Sequence, residues 1–112
     1  MKTYKLFISQ PMRDKTNEQI ELERTRAINI ALAKVKNVTG EANPEIEIID
    51  SFFKDAPHDA KPLWFLGKSF ELLANADVVF FVKGWNEYRA CKMENKAAHE
   101  YLEPNGTIII EE

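Results

Sequence analysis

The chain holds a single cysteine, Cys91, among 112 residues, so no internal disulfide can form. That scarcity suits a reducing compartment, and a cytoplasmic location is expected. Glycine is also sparse. Gly40, Gly67, Gly84 and Gly106 are too scattered to build a dinucleotide fingerprint or a phosphate loop. The two histidines, His58 and His99, have no metal-ligand spacing to each other or to Cys91, and no metal or other cofactor is expected. Cys91 itself reads as a small buried residue rather than a nucleophile. No apolar run approaches membrane-spanning length, and the first residues lack a signal peptide's architecture. Net charge is −3 and there is no lysine or arginine cluster, which argues against a duplex nucleic acid partner.

What is present is an ordinary balance of 45% hydrophobic and 29% charged residues, suited to one domain over 1–112. A domain this small buries a low fraction of its surface, so a homodimer or larger homo-oligomer is expected. Thr3 to Ser9 is β-rich and predicts a first strand. Thr16 and Gln19 form a capping-box pattern that opens a helix of about twenty residues. Ile20, Ala27, Ile28, Ala31, Leu32 and Val35 give it an apolar face, and Gly40 and Asn43-Pro44 stop it. Glu45 to Asp50 predicts a second strand. Pro62 suits the first turn of a second helix reaching about Asn75. Ala76 to Val82 is nearly all apolar, as in a strand buried on both faces. A third helix is predicted from about Tyr88 to Leu102, and a last strand over Thr107 to Ile110.

The order βαβαβαβ implies an α/β domain: a four-stranded parallel sheet with right-handed crossovers and helices on both faces. Flavodoxin-like winding predicts the strand order 2-1-3-4. Ligands of such sheets sit outside the carboxyl ends of the strands. That rule selects Ser9, Gln10, Met12 and Arg13 after strand one, and Asp50, Ser51, Phe52 and Phe53 after strand two. After strand three it selects Lys83, Trp85, Asn86 and the helix start at Arg89. Asp77 lies at the opposite end and reads as a connector. Arg13, Arg89 and the third helix's N-terminus are candidate anion binders. Phe52, Phe53 and Trp64 are candidate subunit contacts.

On the third helix, Ala90, Ala97, Ala98 and Tyr101 define an inward stripe, and Glu94 falls within it. A carboxylate facing a sheet is costly unless it is paired, hydrated or used. Periodicity alone leaves open a glutamate at the stripe's edge that reaches solvent.

Three segments carry a resemblance over nearly the whole chain. They are Phe7-Ile8-Ser9-Gln10-Pro11-Met12-Arg13, the strand entry Ala76-Asp77-Val78-Val79, and Gly84-Trp85 followed by Glu94. Together they resemble the nucleoside 2-deoxyribosyltransferase-like superfamily, above all a branch of short proteins, many carried by bacteriophages. The resemblance implies a Rossmann-like sheet with a nucleoside or nucleotide pocket at its C-terminal edge. It implies that Glu94 is the nucleophile toward C1′ of the sugar. Ser9 to Arg13 would hold a sugar hydroxyl or phosphate, and Trp85 or Phe52 would stack on a base. Two positions depart from the enzymes of the superfamily. Ser69 stands near a position where they carry an aspartate. Tyr88-Arg89-Ala90-Cys91 replaces a turn in which they place a small or acidic residue, often with glycine. The alternative is a non-catalytic nucleotide-binding or sequestering protein of the same fold.

Overall fold

The computed structural model describes residues 2–50 and 56–112. Strand β1 (Thr3–Ser9) leads to helix α1 (Asn17–Thr39), strand β2 (Glu45–Ile48), helix α2 (Pro62–Leu73) and strand β3 (Val78–Phe81). A 3-10 turn at Trp85–Glu87 precedes helix α3 (Arg89–Ala97). A π turn (Ala98–Leu102) and a short 3-10 turn (Glu103–Asn105) follow, and strand β4 (Ile108–Glu111) closes the order. All pairings are parallel, in the expected order β2-β1-β3-β4. This is a single four-stranded Rossmann-like α/β sheet. Among the described residues no helix is long and apolar enough to cross a membrane.

The capping box at α1 forms as the sequence predicts. Gln19 N–H donates to Thr16 Oγ1 at 3.1 Å, and Thr16 N–H donates to Gln19 Oε1 at 2.8 Å. At the other end Gly40 adopts φ 77°, a left-handed conformation that costs glycine little, and its N–H reaches Lys36 O. Ala27, Ala31 and Val35 are fully buried at a four-residue spacing, and the two alanines let the helix approach the sheet closely.

Strand parity divides the core. Tyr4, Leu6 and Ile8 of β1 join Val78, Phe80 and Val82 against α1. Phe7 joins Val79 and Phe81 on the opposite face, with Leu73 from α2 and Ala98 from the π turn. Every residue of β3 is buried, as its unbroken apolar run predicts.

Three sequence expectations are corrected. Strand β2 ends at Ile48 rather than Asp50, although Ile49 N–H still donates to Leu6 O at 2.9 Å. The third helix is not a uniform α-helix to Leu102, because its last turn is π. The buried row on that helix is Cys91, Glu94 and Ala98, with Ala97 and Leu102 half-buried; Ala90 and Tyr101 are exposed. The wider π turn rotates Tyr101 off the stripe, to 73% exposure. Ala90 lies in the first turn of α3, beside an open groove that no side chain fills.

Candidate functional site

The strand order reverses between β1 and β3, and their paired carboxyl ends, Ser9 opposite Phe81, open the crevice that this topology offers a ligand. Period-two alternation sends the two polar residues at the end of β1 to opposite faces. Gln10 faces α1, where its Nε2 donates to Ile20 O and to Glu23 Oε1, both at 3.0 Å. Its Oε1 has no hydrogen-bond partner among the described residues. Ser9 falls on the face of Phe7, toward α2 and α3, and is 2% exposed.

There Ser9 Oγ donates to Glu94 Oε1 at 2.8 Å. Glu94 is 6% exposed, so the inward reading of that glutamate holds and the solvent-facing one does not. Burial pushes its carboxyl up to about 7 from an ordinary 4.5, while Ser9 and Ser69 pull in the other direction by stabilising the charge. Desolvation is the larger effect. A carboxyl shifted this way by burial, bonded to a hydroxyl at the end of a central strand, is a candidate for acid–base or nucleophilic work. Cys91 lies within reach of the same Ser9, and burial raises its thiol away from the reactive thiolate form.

Two cavities lie on the surface around α3; Glu94 itself lines neither, and Ser69 links it to the larger. The larger, about 620 Å³, runs between α2 and α3, with Pro62, Leu63, Phe65, Leu66 and Met93 giving apolar walls. Ser69, the second hydroxyl acting on Glu94, lines it, and Arg89 stands at its rim. The second cavity, about 540 Å³, is lined by Arg13, Glu87, Tyr88, Arg89 and Lys92. Arg89 belongs to both, so an apolar groove and a cationic one share a wall.

The remaining sequence candidates are distributed around this crevice. Met12 is 49% exposed and lines neither cavity. Gly84 adopts φ 95°, which favours glycine, and starts the turn that carries Trp85. The Trp85 ring packs on Phe81 at 5.5 Å between centroids, half-buried in the core beneath α3. Asn86 and Asp50 are exposed. Phe52, Phe53 and Ser51 lie outside the described residues. Trp64 is half-buried and meets Phe65 edge-on at 5.1 Å. Asp77 accepts the backbone N–H of Lys5 at 2.9 Å, far from the crevice, in the connector role assigned to it.

Sequence reasoning missed Lys92 and the α2 wall. The strand-end rule looks only at loops, and α2 reaches the site sideways across the sheet. A signal existed: Leu63 and Phe65 lie one step apart from the core-facing residues of their helix, and remain 75% and 38% exposed. Among the described residues no cluster of histidine, cysteine and acidic side chains could hold a metal ion. No known protein family, curated protein or solved structure matches this chain.

Proposed function

We propose that this protein binds a nucleoside or nucleotide at the C-terminal edge of its sheet and cleaves or transfers the N-glycosidic bond through Glu94. The observation that carries the reading is the 2.8 Å bond from Ser9, at the topological switch point, to a buried glutamate whose second hydroxyl partner, Ser69, lines an apolar cavity. The apolar groove between α2 and α3 suits a base and sugar. Ionised Glu94 attacks the anomeric carbon, and the C1′–N bond breaks. The base nitrogen keeps the bonding electrons and takes a proton from water. Water or a second base then attacks the glycosyl-enzyme at C1′ and frees the carboxylate. Ser9 and Ser69 hold the carboxyl in one orientation and favour its charged form.

A second reading has its own support. Among the described residues, the influences on the titration of Glu94 are burial and two hydroxyls, and none is a second carboxylate. General acid help to a leaving base is then weak. On this reading the protein holds or sequesters a nucleotide without turning it over. As part of either reading the chain works in the cytoplasm as a homodimer or larger assembly. Light scattering of a concentrated sample tests the assembly, and a monomer refutes it.

Incubation with a panel of deoxynucleosides and deoxynucleotides, followed by chromatography, separates the two. Catalysis predicts free base with the native protein and none with Glu94→Gln. It also predicts kcat/KM rising with pH through about 7, as Glu94 ionises. Base release undiminished in the variant refutes the role of Glu94. Binding alone predicts no base from either form and a changed affinity in the variant. Failure of every nucleoside and nucleotide to bind refutes both.

A further inference from the structure

We infer that α2 carries a docking seam for a second copy of this chain, which lays its own α2 antiparallel across it about a two-fold axis. The inference gives a surface to the self-association proposed above and rests on no part of the nucleotide reading. Leu63, Gly67, Phe70 and the C-cap residue Ala74 follow one another at steps of four, three and four, so they share one side of the helix. Leu73, on the other side, is 2% exposed, whereas Leu63 is 75% exposed, the highest value of any large apolar residue described. Gly67 and Ala74 are exposed and Phe70 is half-buried. The exposed apolar residues of α1, Leu22, Ile30 and Val38, stand eight apart instead, and wind around their helix without forming a seam.

Within one protomer nothing calls for glycine at position 67. A Cβ there would meet nothing within 4 Å among the described residues, and alanine suits a helix interior better. Across an antiparallel pair, the missing Cβ lets a ring of the other copy reach the backbone. With Gly67 of one copy opposite Phe70 of the other, Leu63 falls opposite Ala74, and every layer of the seam joins one large side chain to one small. The charges select the direction. Lys61 stands at the N-cap and Glu71 near the C-terminus, with no acid in the first turn and no base in the last, so both charges oppose the dipole of their own helix. An antiparallel neighbour reverses the dipole beside each of them. Lys68 and Glu71, exposed and 3.3 Å apart on one copy, come beside the same pair of the other in opposite order. Trp64, a sequence candidate for subunit contact, flanks the seam, with Lys68 Nζ 5.7 Å from its ring centre. Twelve residues of helix offer only about 18 Å of contact. The dimer therefore belongs with small, weak interfaces, at a dissociation constant on the order of 10 μM.

Sedimentation equilibrium of the full chain, from about 1 μM to about 500 μM, tests this. The native protein is expected to pass from monomer to dimer and stop there, because a two-fold contact closes on itself. Gly67→Gln and Leu63→Glu should each weaken the dimer by about tenfold or more. Both positions face solvent in the monomer, so circular dichroism should stay native. Leu22→Glu, at a similarly exposed leucine on α1, should change nothing. Lys68→Glu should weaken the dimer several-fold, and adding Glu71→Lys should restore it. A monomer at every concentration overturns the inference together with the self-association reading, and leaves the seam to some other chain. A dimer unaltered by Gly67→Gln and Leu63→Glu, or growth beyond a dimer through the same residues, overturns the inference and leaves self-association standing. Neither result touches the nucleotide reading, which base release and ligand binding decide.

Discussion

Replacing Glu94 by glutamine keeps the length and hydrogen-bonding shape of the side chain and removes its charge. In the native protein the carboxyl is 6% exposed and titrates near 7 against an ordinary 4.5. The folded state thus holds a proton that the unfolded chain has already released above pH 4.5. Native stability should fall as pH rises from about 4.5 to 7 and level off above that. At roughly 1.36 kcal/mol per pH unit the gap amounts to about 3 kcal/mol. Glutamine never ionises, so Glu94→Gln should match the native protein near pH 4 and exceed it by about 2–3 kcal/mol at pH 8. For a domain of this size that corresponds to a melting point higher by about 10 °C or more. Urea unfolding of both proteins at a series of pH values between 4 and 9 measures it. The difference curve matters more than either curve, because any fixed packing change cancels across pH. Ser9 can still donate to the amide oxygen, so the 2.8 Å contact survives the substitution. A stability difference between the two proteins that does not change between pH 4 and 8 refutes the account of Glu94 as a desolvated carboxyl. A gain in stability would also mark the residue as kept for chemistry or binding at a cost to the fold.

Three further outcomes follow from the same structure. His99 lies between Glu103 and Glu111 at 2.9 and 3.0 Å, and hydrogen bonds to both raise its pKa. Its contribution is complete below pH 6.5 and lost as pH rises through the folded value. His99→Gln should therefore cost under about 1 kcal/mol at pH 6, since the pair is largely solvated, and nothing at pH 9. Melting curves at the two pH values measure that difference. Phe80→Ala empties a fully buried ring site between the sheet and α1 and should cost about 3–5 kcal/mol in urea unfolding. Thr16→Ala breaks the capping box of α1 and should cost about 1 kcal/mol, read by the same method.

Chain order and strand parity were legible in the sequence because they depend on local pattern. The unbroken apolar run at Val78–Phe81 identified the central strand, alternating elements implied parallel pairing, and analogy with flavodoxin-like winding supplied the order 2-1-3-4. Helical spacing put Glu94 in or at the edge of the inward stripe and left its reach to solvent open. What tertiary structure alone decided is which surfaces meet. The distance between Ser9 and Glu94 spans 85 positions of chain and depends on how closely α3 docks on the sheet. The phase shift that exposes Tyr101 comes from a π turn that no simple period predicts. The groove walls on α2, and the meeting of Arg13 with Arg89 and Lys92 around one cavity, arise because the loop after β1 and the start of α3, from separate crossovers, come to one place. Local pattern sets which face a side chain takes on its own element. The packing of elements, a sum over distant contacts, sets what that face encounters.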